Sequence, residues 1–387
     1  MRNEKIMKRD PAMDILRCVA CFGVVSVHFL LNNGFYTREV AGAHMAAMVL
    51  IRSFFGYCVP LFLMLSGYLM CNKRPEKKYY KKFGKIYFIY VGSVLACIFL
   101  FRFLYSSLYQ ALGIPKIEFA PVQFLVTVKQ LLCFSGSYSW YIEMYAGLFL
   151  LIPFLNVLYH GLKTQKSKKL LVLTCIALTA LPSLINVFHI QNDFSVDPSF
   201  TDSRDKIIPE WWTKIYPLTY YFIGSYLREY KPKIKVSVCA LLVIISTGAS
   251  FAFNLLKSSG KKFVSGMWIE WNSLFVLAIT VSIFLFFLNL KYDKCPYAVK
   301  WCFAKLSDLC LGIYLTSWIF DKLFYPALNA RVPSIDERLW YYFLIVPAVF
   351  ACSAVVSYLI LKAYQLCSYL TGRAVNAVKN KRTASTE

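Results

Sequence analysis

The feature that most constrains this chain is a series of apolar runs, each long enough to cross a lipid bilayer. Crossing ~30 Å of hydrocarbon takes about 20 helical residues. With 58% hydrophobic and 16% charged residues, the chain lies outside the range of soluble globular proteins. In the ninth run, Asp308 and Asp321 bracket a short apolar core. We predict an all-α, polytopic membrane protein with about ten transmembrane helices, at residues 13–34, 46–70, 86–106, 138–158, 170–190, 212–228, 236–256, 268–290, 306–322 and 340–361.

The net charge of +23 is explained by where the cations lie rather than by a nucleic-acid partner. If residues 1–12 are cytoplasmic, the alternating spans place most Lys and Arg in the cytoplasm, above all in residues 71–85 and 160–169. The longest outer loop, residues 191–210, is rich in acids. Both termini are then cytoplasmic, the membrane domain covers residues 13–369, and we expect residues 370–387 to form a disordered basic tail. The lipid bilayer is the predicted partner of the chain.

The 13 Cys residues lie mostly inside apolar runs and lack the spacing of metal ligands or of a disulfide framework. A thiol inside a span behaves as a small hydrophobic side chain. We therefore predict no metal site.

Three polar residues interrupt the first apolar run. Arg17 and His28 are eleven residues apart, which at 100° per residue is three turns plus roughly 20°, so both lie on one helix face. Asp14, three residues before Arg17, is expected to pair with it. A charged residue inside a span usually marks a functional site. The alternatives are that Arg17 snorkels to the cytoplasmic surface and that His28 is an interior residue with satisfied hydrogen bonds.

Counting inward from the span ends places His28, Arg52 and Glu143 in one layer, just outward of the membrane midplane. In this interpretation His28 is a general base, Glu143 fixes its tautomer, and Arg52 stabilises developing negative charge or orients a substrate. The alternative is that Arg52 and Glu143 form an ion pair with each other near the outer surface.

Two further groups are expected nearer the cytoplasm. Ser66 and Gly67 lie about level with Arg17 in the second span, where Gly permits close backbone approach by a helix or a ligand. Simple helix packing is the alternative for this pair. Lys82 and Lys85, with Arg74 as a weaker candidate, open the third span and could attract an anion.

The chain resembles the acyltransferase-3 family of integral membrane acyltransferases, which modify cell-surface carbohydrates in bacteria. The resemblance rests on the Arg and His separated by ten residues in "DILRCVACFGVVSVHF", and extends through "FFGYCVPLFLMLSGYLM", "SWYIEMYAGLFLLIPFLN" and "LSDLCLGIYLTSW". It implies that His28 takes part in acyl transfer and that Arg17 acts near the acyl donor.

Two motifs depart from the family pattern. Members often carry Arg, two residues and Arg where this chain has Lys82 and Lys85. Lys keeps the charge but binds phosphate without the planar fork of Arg. A late His that is common in the family is replaced by Ser317 in "IYLTSW", so any role of that His is absent.

The sequence thus predicts a membrane enzyme that transfers an acyl group, acetyl from acetyl-CoA, to a hydroxyl of a surface glycan or its lipid-linked precursor. The expected location is the bacterial cytoplasmic membrane. His28, Glu143 and Arg52 are the predicted catalytic residues, and Arg17, Ser66, Lys82 and Lys85 are expected to bind the donor. A covalent route through Ser66 is disfavoured because no base is evident beside it. The alternative function is a transporter or flippase of a glycan or lipid precursor, against which the absence of an internal repeat argues.

Overall fold

The computed structural model describes residues 9–187 and 207–384 of the chain. Within these residues the chain is helical and contains no strand, so the predicted all-α class is confirmed. Residues 1–8 and most of the acid-rich loop at 191–210 lie outside the described residues.

Thirteen α-helices of more than one turn are described in these ranges. They are α1 Pro11–Asn32, α2 Gly42–Phe54, α3 Cys58–Met70, α4 Phe83–Leu95, α5 Phe101–Leu112, α6 Phe124–Leu132, α7 Trp140–Gly161, α8 Gln165–Thr179, α9 Tyr216–Tyr230, α10 Val236–Ser258, α11 Leu274–Asn289, α12 Tyr297–Arg331 and α13 Tyr342–Ala384. Single turns at Lys77–Tyr80, Pro182–Ile185 and Ile335–Arg338 join some of them.

Eight helical segments in the described part of the chain are long and apolar enough to cross a membrane. Four of them combine neighbouring helical pieces. Gly42–Met70 contains α2 and α3, Lys77–Leu112 contains α4 and α5, Gln165–Ile185 contains α8 and the turn Pro182–Ile185, and Ile335–Arg373 contains the turn Ile335–Arg338 and most of α13. The predicted spans at 212–228 and 268–290 correspond to the shorter helices α9 and α11, of 15 and 16 residues. The chain is therefore a multi-pass membrane protein.

Helix α1 begins where the sequence provides a strong N-terminal signal. The carboxylate of Asp10 accepts a hydrogen bond from the backbone N–H of Ala12 at 3.0 Å, and Pro11 occupies the first helical position. Helix α1 then runs through the interior, packed against α3, α12 and α13. This central place explains why its polar residues face protein rather than lipid.

Helices α3 and α9 touch through two glycines. A Cβ at Gly67 would overlap the carbonyl oxygen of Tyr221, and a Cβ at Gly224 would overlap that of Met64. Only glycine permits so close a backbone approach. Gly67 therefore serves packing in this structure, which was the alternative offered for it, and it holds α3 in place beside α1.

Helix α13 continues beyond residue 369, where the predicted tail begins, as far as Ala384. A helical extension of a span is stabilised at its root by the packed helix, because adding a residue to an existing helix avoids the cost of nucleation. The disorder predicted for the tail stays a prediction.

Candidate active site

His28 lies in a buried cluster with two partners from other parts of the chain. Its imidazole Nδ1 is 3.2 Å from Oδ2 of Asp321 on α12, and Asp321 is 0% exposed. Tyr138, in the loop before α7, donates its hydroxyl to the same Oδ2 at 2.9 Å. The Tyr138 ring packs on the imidazole with the ring centroids 4.2 Å apart. We call these three side chains the His28 cluster.

This arrangement suits a proton acceptor. A carboxylate beside Nδ1 favours the tautomer that carries its proton there, which leaves the lone pair on Nε2. The contact is close enough for an ion pair, although the ring does not direct Nδ1–H at the oxygen as a hydrogen bond requires. Such contacts are often poorly aligned without substrate and tighten in the complex.

The carboxylate beside His28 is not the one that the sequence suggested. Glu143 lies in the first turn of α7 and is exposed, whereas Asp321 contacts the imidazole. The predicted pairing of Glu143 with His28 is therefore corrected to Asp321. Depth along a helix follows from counting residues, but the direction in which a side chain points depends on which neighbours the helix packs against.

Arg52 also has a partner other than the expected one. Its Nε donates to the hydroxyl of Tyr36 at 3.0 Å, and it forms no ion pair with Glu143 within the described ranges. The hydrogen bond joins the end of α2 to the turn that follows α1. Arg52 thus lies against the turn that follows the C-terminal end of the helix that carries His28, and its predicted part in catalysis is not supported by a contact with the His28 cluster.

Asp321 was visible in the sequence as an acid at the end of an apolar run, but it was not assigned a role. The available signal was the free-energy cost of placing an ionisable residue inside a span. Such residues are rare in membrane helices and usually have a charged or polar partner or a functional role. Four residues earlier on α12, Ser317 is also fully buried and donates to the carbonyl of Tyr314 at 2.9 Å. Ser317 therefore lies on the same helix face as Asp321.

Arg17 lies at the opposite end of α1, in a network of charges. Its Nη1 donates to Ser307 Oγ at 2.7 Å and lies 3.9 Å from Asp14. The nearer partner of Asp14 is Arg9, whose Nε donates to it at 2.9 Å, and Arg9 also reaches Asp308 at 2.9 Å. Burial alone would lower the pKa of Arg9, but hydrogen bonds to the two carboxylates raise it.

A cavity of about 410 Å³ begins at Arg17 and extends along α1 as far as Val24. Helices α1, α3, α4, α7 and α12 surround it, and its middle is apolar. Its polar lining residues are Arg17, Ser66, Lys85, Ser307 and Asp308 toward the end where α1 begins, Tyr145 between, and Tyr141 and Tyr314 toward the other end. The cavity therefore fits a long ligand with an anionic end and a slender body.

Three of the four residues predicted to bind the donor share this cavity, namely Arg17, Ser66 and Lys85. Ser66 donates to the carbonyl of Phe62 at 2.9 Å, a bond within its own helix. Lys82 instead lines a separate polar pocket of about 340 Å³ with Lys73, Arg74 and Lys78. The two predicted lysines therefore line different pockets.

The cavity wall and the His28 cluster are joined by two tyrosines. Val24, at the outer end of the cavity, is one helical turn from His28 on α1. Tyr314 lines the cavity and donates its hydroxyl to the backbone carbonyl of Tyr138, whose ring covers the imidazole. Tyr138 and Tyr314 thus lie between the end of the cavity and His28.

The loop that carries Tyr138 has an unusual backbone. Phe134 and Ser137 have φ of 50° and 51°, a conformation that residues with a Cβ rarely adopt. The Ser139 hydroxyl donates to the carbonyl of Phe134 and closes this turn. Strained backbone of this kind concentrates at functional sites, where neighbouring contacts hold it in place.

A family model described as an acyltransferase domain matches residues 10–361 of the chain, which include every member of the cavity wall and of the His28 cluster. No curated protein and no solved structure matches the chain.

Proposed function

The chain belongs to the acyltransferase-3 family, and on this premise we propose that it transfers an acetyl group from acetyl-CoA to a hydroxyl of a surface glycan or of its lipid-linked precursor. The observation that carries the proposal is the cavity with a cationic inner end that leads along α1 toward a buried His paired with a carboxylate.

The inner end of the cavity supports an acyl-CoA donor. Arg17 and Lys85 provide positive charge for phosphates, and the apolar middle suits the pantetheine arm. From Arg17 to His28 is eleven residues, or about 16 Å of helix rise, which is comparable to the reach of that arm. The donor would therefore enter from the cytoplasm with its thioester directed at the His28 cluster.

The chemistry assigned to the chain is a single acyl transfer. His28 Nε2 accepts the proton of the attacking hydroxyl, and Asp321 stabilises the imidazolium that forms. The hydroxyl oxygen bonds to the acyl carbon, the carbon–sulfur bond breaks, and His28 returns the proton to the leaving thiolate. No charge is left behind when the cycle closes.

Direct transfer is favoured over a covalent Ser66 intermediate. Ser66 Oγ bonds to a carbonyl of its own helix, and in the described part of the chain neither a His nor a carboxylate contacts it. A serine hydroxyl needs an adjacent base to become a nucleophile. Ser66 therefore acts as a lining residue of the donor cavity in this proposal.

The acceptor is placed on the outer side. With the spans alternating as the sequence predicts, most cations of the chain lie on the face where α1 begins, and the positive-inside rule makes that face cytoplasmic. His28 lies toward the opposite face, so donor and acceptor approach from different sides of the bacterial cytoplasmic membrane. A glycan or a lipid-linked sugar on the outer leaflet fits this geometry.

The proposal is tested with purified full-length protein in lipid nanodiscs. It is incubated with acetyl-CoA labelled in the acetyl group and with glycolipids extracted from the source cells. We expect release of free CoA thiol and base-labile label in the glycolipid fraction. Retention of all label on CoA in the presence of those acceptors would contradict the assignment and favour a transporter.

A further inference from the structure

Arg9 lies just before α1 and pairs with two acids at the end of the donor cavity where Arg17 lies. Its Nε donates to Asp14 Oδ2 at 2.9 Å and its Nη2 donates to Oδ1 of the same carboxylate, so the contact is bidentate. Its Nη1 donates to Asp308 Oδ1 at 2.9 Å. We call Arg9, Asp14 and Asp308 the Arg9 network.

Asp14 needs a cation because its carboxylate is buried. It is 4% exposed, and a buried carboxylate without a partner is strongly destabilising. Two arginines are near enough to pair with it. Arg9 forms the bidentate contact, whereas Nη1 of Arg17 lies 3.9 Å from Oδ1. The charge of Asp14 is therefore compensated by Arg9 rather than by Arg17.

Arg17 consequently keeps N–H donors for a ligand. Its Nη1 donates to the neutral hydroxyl of Ser307 at 2.7 Å. In the part of the chain that the structure describes, no carboxylate oxygen approaches it more closely than the 3.9 Å of Asp14. A guanidinium carries five N–H donors, and Arg17 lines the donor cavity. Its charge and its remaining donors are thus available to an anion in that cavity.

Asp308 is the second acid whose charge Arg9 compensates. It lines the cavity together with Arg17 and Lys85, and a carboxylate at this place repels a phosphate unless a cation lies beside it. Arg9 provides that cation at 2.9 Å. Arg9 itself lines a separate pocket of about 230 Å³ and, among the described residues, is not part of the cavity wall. It therefore acts on a ligand in the cavity through the two acids and not by direct contact.

We propose that Arg9 is a positioning residue for the acyl donor: by pairing with the two acids it keeps Arg17 available to the donor phosphates. The inference rests on the proposed function for the identity of the donor. Without Arg9, the buried Asp14 is left beside Arg17, and a rotation of either side chain closes the remaining distance. Two uncompensated acids, Asp14 and Asp308, then lie beside the two cations of the cavity wall, Arg17 and Lys85. The attraction of the cavity for phosphate falls.

The effect on Arg17 is tested without a donor by labelling the full-length protein in nanodiscs with phenylglyoxal. This reagent modifies guanidinium groups that are not held by carboxylates, and mass spectrometry reads each arginine separately. We expect Arg9→Gln to slow the labelling of Arg17, relative to the exposed Arg74, at least fivefold, because Asp14 then pairs with Arg17. Neutralising both acids in Arg9→Gln/Asp14→Asn/Asp308→Asn should restore the rate to within twofold of the wild type.

A matched control breaks an ion pair beyond the other end of α1. Arg38 Nη2 lies 2.7 Å from Asp336 Oδ2, so Arg38→Gln removes one cation from a similar contact outside the cavity wall. It should leave the labelling of Arg17 unchanged. An unchanged rate in Arg9→Gln would overturn the proposal. A rate that stays low when the two acids are also neutral would overturn it as well, because Arg9 would then act by shaping the start of α1.

The consequence for the donor is measured in the same four proteins by calorimetry with acetyl-CoA and by steady-state kinetics. Arg9→Gln should weaken acetyl-CoA binding at least tenfold and raise the donor KM similarly, with kcat within threefold of the wild type because the His28 cluster is untouched. The loss should shrink at high salt and disappear in the triple variant. Equal affinity of Arg9→Gln and the wild type would refute the role in donor binding. If the wild type bound no acetyl-CoA while the labelling responded as expected, the proposed function would fail and the effect of Arg9 on Arg17 would stand.

Discussion

Replacing Asp321 by Asn removes the charge beside His28 while keeping the size of the side chain. At the observed 3.2 Å between Nδ1 and Oδ2, two full charges in an effective dielectric of 20 interact by about 5 kcal/mol. The imidazole is charged only while it holds the proton taken from the acceptor hydroxyl. The attraction to Asp321 therefore lowers the free energy of the transition state. Because roughly 1.4 kcal/mol is a tenfold change in rate, a loss of half to all of it lowers kcat by about 10²- to 10⁴-fold.

The Asp321→Asn substitution should lower kcat without lowering the thermal stability of the protein. A buried carboxylate costs desolvation free energy that an amide does not, and the substituted asparagine keeps an oxygen that accepts the Tyr138 hydroxyl. Asp321→Asn is therefore expected to unfold at the same temperature as the wild type or higher, while donor affinity stays unchanged. A general loss of structure would instead lower the melting temperature and kcat together.

The assay measures kcat and KM for acetyl-CoA in nanodiscs, with thermal unfolding followed in parallel. Glu118→Gln is the matched control, since Glu118 is an exposed acid in the loop between α5 and α6. A kcat within threefold of wild type for Asp321→Asn would refute the argument that this carboxylate stabilises the proton-accepting His28.

Three other substitutions test the account. His28→Ala should lower kcat by about 10²- to 10⁴-fold with acetyl-CoA affinity by calorimetry nearly unchanged; activity within a few-fold of wild type would make His28 structural. Lys85→Gln should raise the donor KM more than Lys82→Gln, because Lys85 lines the cavity with Arg17, and the difference should shrink at high salt; equal effects would place the donor phosphates elsewhere. Gly67→Ala should sharply reduce folded protein on size-exclusion chromatography, because its Cβ would overlap the Tyr221 carbonyl, whereas Gly147→Ala, with open space around it, should not; equal yields would show that α3 and α9 separate at little cost.

The membrane architecture was predictable because its main signal is local. An apolar run of about 20 residues indicates a span without knowledge of its neighbours. Helices α1, α7 and α10 and the segment Gly42–Met70 follow the predicted runs closely. The shared face of Arg17 and His28 also follows from the period of one helix. These predictions need no information about tertiary contacts.

The partner of His28 was not predictable by the same means. Glu143 and His28 were placed at one depth, but α7 turns Glu143 outward and α12 brings Asp321 to the imidazole. Tyr138 reaches the cluster through a loop that has positive φ angles at Phe134 and Ser137. No local sequence pattern predicted these angles. The rotation of a helix about its axis and the conformation of a loop both depend on packing between segments that are far apart in the sequence. Sequence periodicity carries no information about that packing.

The central claim is that one acyl-CoA molecule lies along α1 from Arg17 to His28. An electron cryo-microscopy structure with a non-hydrolysable acetyl-CoA analogue tests it most directly. The account predicts phosphates near Arg17 and Lys85, the pantetheine arm in the cavity, the Tyr138 ring moved off the imidazole, and the acyl carbon beside His28, with room for an acceptor hydroxyl about 3–3.5 Å from that carbon. An analogue bound along other helices, or with its acyl carbon far from His28, would contradict the account even if both residues proved essential.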